Sequence, residues 1–377
     1  MKQIRGSRFS VLHQTGLTLV ELIVSIAISL TIMSGVVQVL VVSKSNFVTE
    51  RELATLQENA RFALKFMSDE IRLAGYNGCS SRPYQVAKDI KGHTGYWYLN
   101  DPGLQGYEYD AGTSTFPTDF RSDVRANTDA VVVRRGKPAN LRMTAHSMSG
   151  GTAGTITVSA AHSYQRGQVF LIAKSDCAQL GMFQMSGPAN ASNAATTIEH
   201  KTGVTAVPGN GTVNLHGSYS YNAAGTITGT SAATAYPITS LLMEMVSEAF
   251  YVGNSTTDST VPALFRERML VNAATYTPYT AAEELVQGIE NMQVLYGYDA
   301  DNNGLADRYM KANDSTFATA TNWNNVVSVR LTVRMRSIYP VYNKAMSYGT
   351  FEGISGTSGS DAYMRQTLST TIMMRNN

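Results

Sequence analysis

Histidine, cysteine and charge are all scarce in this chain. Its six histidines, His13, His93, His146, His162, His200 and His216, are scattered through 377 residues, and no two have the i, i+4 spacing with which a helix presents a pair to zinc. There is no Gly-x-Ser-x-Gly elbow and no phosphate-binding loop, so local signatures of hydrolase and nucleotide chemistry are missing and the chain reads as a non-enzyme. Charged residues make up only 15% and the formal net charge is +2, which leaves no strongly basic surface for nucleic acid. The two cysteines, Cys79 and Cys177, have no histidine nearby in sequence and make a poor zinc site.

What the chain does have is a long apolar run near its start. From Gly16 to Val42 the one charged side chain is Glu21, and about 26 residues at 1.5 Å rise suffice to cross a ~30 Å hydrocarbon layer. A carboxylate in such a helix costs on the order of 2.5 to 3.5 kcal/mol at mid-bilayer, less near the interface, and so demands a partner. A cut after Gly16 supplies one, because it exposes a new α-amine at Leu17. Within one helix the amine and Glu21 sit about a turn apart and meet poorly. Between two helices offset along their axes, the amine of one reaches the carboxylate of the other, and that arrangement builds a filament. Residues 1–15 carry Lys2, Arg5 and Arg8 and no acid, so this flank is expected to stay in the cytoplasm with the bulk of the chain outside the inner membrane. Because the cut precedes the apolar run, the span stays in the mature protein, unlike a secretory signal.

From Ser43 the pattern turns amphipathic. Leu53, Leu56, Ala60, Leu64, Met67, Ile71 and Ala74 recur every three or four residues, which predicts one helix continuing to Ala74, ended by Gly75 and packed on the chain's own sheet. The expected organisation is a leader at 1–16, a transmembrane helix at 17–42, its amphipathic continuation at 43–75 and a β-rich globular domain at 76–377. About 300 residues bury a real core. Strands are expected at 129–134, 155–158, 169–173, 182–185, 241–251, 289–298, 326–336 and 368–374, with loops and weak strands over 187–237. In the clearest strand, alternation puts Val327, Val329, Leu331, Val333 and Met335 on the core face and Arg330, Arg334 and Arg336 on a solvated outer face.

Three local features carry chemistry. In an oxidising compartment the lone cysteine pair is expected to bridge, pinning the end of the helix to the sheet. The run from Asp299 to Asp307 places side-chain oxygens of Asp299, Asp301, Asn303 and Asp307 at loop positions 1, 3, 5 and 9, with Gly304 at 6 and the Leu305 carbonyl at 7. Such spacing suits calcium, although Met310 stands at position 12 in place of a bidentate glutamate, and an Asx-rich turn reads equally well. Tyr96, Trp97, Tyr98, Tyr107 and Tyr109 cluster after Cys79, where they mark either a sugar or partner surface or part of a β-domain core.

Gly16 followed by Leu17-Thr18-Leu19-Val20-Glu21-Leu22 resembles the signal of type IV prepilins, with Leu17 where phenylalanine is usual. That resemblance implies cleavage after Gly16 by a prepilin peptidase, N-methylation of Leu17, and packing of the helix into a filament core. Ala74-Gly75-Tyr76-Asn77-Gly78-Cys79, the run Val286 to Asp299, Asp307-Arg308-Tyr309 and the run Trp323 to Arg330 resemble the PilW family of minor pilins. They imply an α+β pilin fold, a long N-terminal helix packed on an antiparallel sheet, here with a large β-rich insertion. The implied function is that of a minor pilin that helps to prime pilus assembly near the tip. Its implied partners are other minor pilins, the major pilin and a tip adhesin, on a path from the inner membrane to the cell surface. A pseudopilin of type II secretion, or an adhesin or enzyme on a helical anchor, are the alternatives.

Overall fold

Thr18 starts the long helix α1, which runs Leu19–Arg72. Its hydroxyl accepts the backbone N–H of Glu21 at 3.3 Å, so Thr18 is the N-cap and Glu21 the third helical residue of a Thr-x-x-Glu start. Further along the apolar stretch, Ser25, Ser29 and Thr31 donate to carbonyls one turn back at 2.7 to 2.8 Å, which satisfies their hydroxyls without leaving the helix. The helix stops two residues short of Ala74. Gly75 turns the chain with φ +75°, a value that glycine adopts without strain, and its N–H donates to Arg134 O at 2.9 Å.

The structure, a computed structural model, describes residue 16 and residues 18–79, 85–88, 90–91, 96–99, 103–110, 113–117, 119–149, 152–188, 194–203, 208–215, 220–221, 227–228, 235–272, 274–352, 354 and 357–375. Two compact units divide the chain, Met1–Leu53 and Ala54–Asn377. In the second unit the α1 stripe Leu56, Ala60, Ala63, Leu64, Met67 and Ile71 is buried, as its spacing requires; Leu53, the first residue of the predicted stripe, is 37% exposed.

Two large sheets meet that stripe. A four-stranded antiparallel sheet has the order Arg308–Met310, Ile289–Tyr298, Val326–Arg336, Arg365–Met373. An eight-stranded sheet is built around Leu241–Asn254, which pairs with Ala130–Pro138, Val169–Ala173 and Pro262–Val271. One core runs from the helix stripe through Val131, Val133, Phe250 and Leu264 of the larger sheet to Met292, Val294, Leu331 and Val333 of the smaller. Asp129 bolts the sheets together: its N–H donates to Met292 O and its Oδ2 accepts Val294 N–H, both at 2.9 Å. A third sheet, Ala195–Lys201, Ala153–His162 and Met143–Ser149, lies within the predicted insertion and closes a separate core with Phe170, Ile172 and Phe183.

The α+β class and the antiparallel pairing follow the sequence reading; among the strands of the described residues, Gln85–Lys88 pairs in parallel with Gln179–Gln184. Val169–Ala173, Ile289–Tyr298 and Val326–Arg336 stand where they are predicted. Pro262–Val271 and Pro278–Gln287, which pair with each other, were not predicted. Between Gly297 and Tyr298 the register slips, so that Tyr298 opposes Val326, and Val326 joins the helix-facing core in the place expected of Val327. The predicted solvated arginine row also needs correction. Arg330 is exposed, but Arg334 is buried at 7% and Arg336 is half-buried, because the rings of Tyr348 and Phe351 lie against Arg334 and that of Tyr363 against Arg336.

Candidate functional site

The sequence-predicted site residues fall into three groups, one on the N-terminal helix, one at an end of the smaller sheet and one at the disulfide Cys79–Cys177. On the helix, Thr18 fixes Glu21 within the first turn, where the positive end of the helix dipole favours a carboxylate. Around it, Leu19 is 74% exposed and Leu30 65%, and none of the most apolar window of α1 is buried. A helix apolar on every side needs lipid or other helices around it, and this one is long and apolar enough to cross a membrane. Residues 1–15 of the expected leader, and Leu17, the expected methylated terminus, lie outside the described residues.

At the sheet end, the loop between Ile289–Tyr298 and Arg308–Met310 brings Asp299, Asp301 and Asp307 together, with carboxylate oxygens within 4.8 Å of one another. The backbone makes this possible at Asn302 and Gly304, whose φ values are +60° and +85°. Asp299 accepts Asn303 N–H at 3.2 Å and Gly304 N–H at 2.8 Å, Asp307 accepts Ala300 N–H at 2.7 Å, and Asn303 accepts Leu305 N–H at 2.8 Å while its amide donates to Asp301. Burial raises the Asp299 carboxyl, but the Gly304 and Asn303 amides outweigh it and hold the group below its ordinary value. Three carboxylates and an amide oxygen are a donor set suited to a hard cation. Met310, at position 12, is buried in the helix-facing core, which explains why no glutamate closes the loop. The Leu305 side chain is 65% exposed.

Two clusters have no sequence signature. Glu290, turned outward by the register slip between Ile289 and Asn291, meets Arg334 at 3.0 Å and Arg365 at 2.8 Å. Arg365 also grips Asp361 at 2.6 Å and stacks on Tyr348 at 3.6 Å, while Phe351 lies 5.0 Å from Arg334. The hydrogen-bonded Arg365 holds Asp361 below the ordinary carboxylate range. Four charges packed under aromatic rings form a structural clasp over the sheet. Elsewhere, His146 and His200, far apart in sequence, approach to 2.9 Å between their Nε2 atoms.

The aromatic run is core, not a sugar surface. Trp97, Tyr98 and Tyr107 are buried with Phe120, Tyr251 and Phe265, and only Tyr96 and Tyr109 are partly exposed. Cys79 and Cys177 form a disulfide with Cα atoms 5.7 Å apart. It ties the chain just past α1 to the turn after Val169–Ala173.

Compared with known proteins, residues 249–376 match the family model described as Type IV Pilus-assembly protein W. No curated protein and no solved structure matches the chain.

Proposed function

We propose, from the match of residues 249–376 to the family model described as Type IV Pilus-assembly protein W, that the chain is a minor pilin that primes the filament together with other minor pilins, near its tip. Prepilin peptidase cuts after Gly16 and Leu17 is N-methylated. The helix waits in the inner membrane with its N-terminus cytoplasmic and is then drawn into the filament core beside other minor pilins and the major pilin, with a tip adhesin beyond. Glu21 neutralises the α-amine of a neighbouring subunit. The observation that carries this reading is an exposed apolar helical stretch, with one carboxylate in its first turn, in the same chain as a segment that matches a pilus-assembly family model. A pseudopilin of type II secretion shares the helix; the family match favours the pilus.

Mass spectrometry of the mature N-terminus in a sheared surface fraction tests it. The expected terminus is N-methylated Leu17; assembled protein that retains residues 1–16 would overturn the reading. In the same fraction Glu21→Ala is expected to insert and be cleaved normally, yet to be incorporated less by an order of magnitude or more, because the neighbour's ammonium is left buried without its anion.

A further inference from the structure

The third sheet carries a hydrogen-bonded relay, from Tyr236 through His146 to His200, that is complete only while both rings are neutral. His146 and His200 stand on its two outer strands and reach each other across the middle one. They pass Gly154, where a Cβ would fall 2.1 Å from the His200 ring. His146 Nδ1 accepts the backbone N–H of Tyr236 at 2.8 Å, so the neutral ring carries its proton on Nε2 and donates it to the Nε2 lone pair of His200. A proton added to His146 must go to Nδ1, where it confronts the Tyr236 N–H. One added to His200 must go to Nε2, where it confronts His146. A metal ion fits no better, since a neutral ligand bound through Nε2 keeps its proton on Nδ1.

From this juxtaposition we infer that the His146–His200 pair is an acid-released latch: near neutral pH it holds the strand Ala195–Lys201 and the turn at Tyr236 on the sheet, and it lets them go as the surroundings acidify.

Among the described residues, the following groups lie near the pair and along its strands. Phe183 packs 5.1 Å from His200 and the Tyr236 ring 6.2 Å from His146. The Tyr236 hydroxyl donates to Leu215 O at 2.7 Å, and burial pushes its pKa up. On the His200 strand, Glu199 and Lys201 pair with each other at 2.8 Å. His162, at the far end of the middle strand, contacts Thr197 O at 3.0 Å, and burial lowers its pKa as well. Burial, and after it His146, lowers His200 to about 3. A histidine lowered on folding contributes stability that is fully present above its unfolded value of about 6.5 and is lost as pH falls from there toward the folded value.

Hydrogen exchange on the full-length chain in detergent tests the latch, read as protection factors so that the chemical pH dependence of exchange cancels. One proton linked to opening raises the opening constant about thirtyfold between roughly pH 6 and pH 4.5. Protection is expected to fall by that factor or more in residues 195–201 and at Tyr236, while Val326–Arg336 keeps its protection. The double variant His146→Asn/His200→Phe retains an acceptor for the Tyr236 N–H and a ring against Phe183 but titrates at neither position, and its protection there is expected to be flat. Constant protection in the wild type overturns the inference, as does an equal fall in the double variant, which would assign the response to His162 or a carboxylate. Should the double variant not fold, an NMR titration of the wild-type histidines decides: both rings neutral while the sheet is closed supports the latch, and either one titrating near 6.5 without loss of protection overturns it.

Discussion

Single side chains in this protein are placed by what they would cost if left alone. Glu290 stands between Arg334 and Arg365, and without it two cations would share a buried site with only Asp361 to balance them. The Asp299 loop poses the same problem with the opposite sign, because three carboxylates converge within 4.8 Å and backbone amides satisfy only some of their lone pairs. Calcium is therefore expected to raise the unfolding temperature relative to a chelator, by roughly 2 to 4 °C for each kcal/mol of binding. Asp301→Ala is expected to abolish the rise. Equal unfolding temperatures with calcium and chelator would leave the loop as an Asx turn.

At the scale of elements, the end of α1 is held from several directions. Gly75 turns the chain against Arg134 O, Glu70 pairs with Arg135 at 2.8 Å, and Cys79 is bonded to Cys177. The disulfide spans 98 residues of sequence, and closing a loop of that size restricts the unfolded chain by about 4 to 5 kcal/mol in the chain-entropy account. The double variant Cys79→Ser/Cys177→Ser is expected to lose stability of that order in denaturant unfolding. A loss below about 1 kcal/mol would mean that the salt bridge and the helix stripe hold the junction without it.

For the whole molecule, the division at Ala54 makes a sharp expectation. A truncation beginning at Ala54 keeps Leu56, Ala60, Ala63, Leu64, Met67 and Ile71 under both sheets and is expected to fold, remain soluble and unfold cooperatively. One beginning at Tyr76 removes the stripe and uncovers the faces of two sheets, and it is expected to aggregate. Circular dichroism and size exclusion of the two truncations check this. Folding of the shorter one would show that the sheets close on each other without the helix.

The elements legible in the sequence were those whose signal is periodic and local. The helix stripe and the strand Val326–Arg336 repeat at the period of the backbone itself, and the Asp299 loop is legible from the spacing of its oxygen-bearing side chains. Pairings between distant segments carry no such period. Nothing in the order of residues announces that His146 meets His200 across Gly154, or that Tyr348 and Phe351 cover Arg334. Nor does it announce that Trp97 and Tyr107 serve a core and not a surface. Those outcomes depend on which strands become neighbours and which face is covered, and only the closed chain decides that, because burial is a property of contacts between segments and not of any one segment.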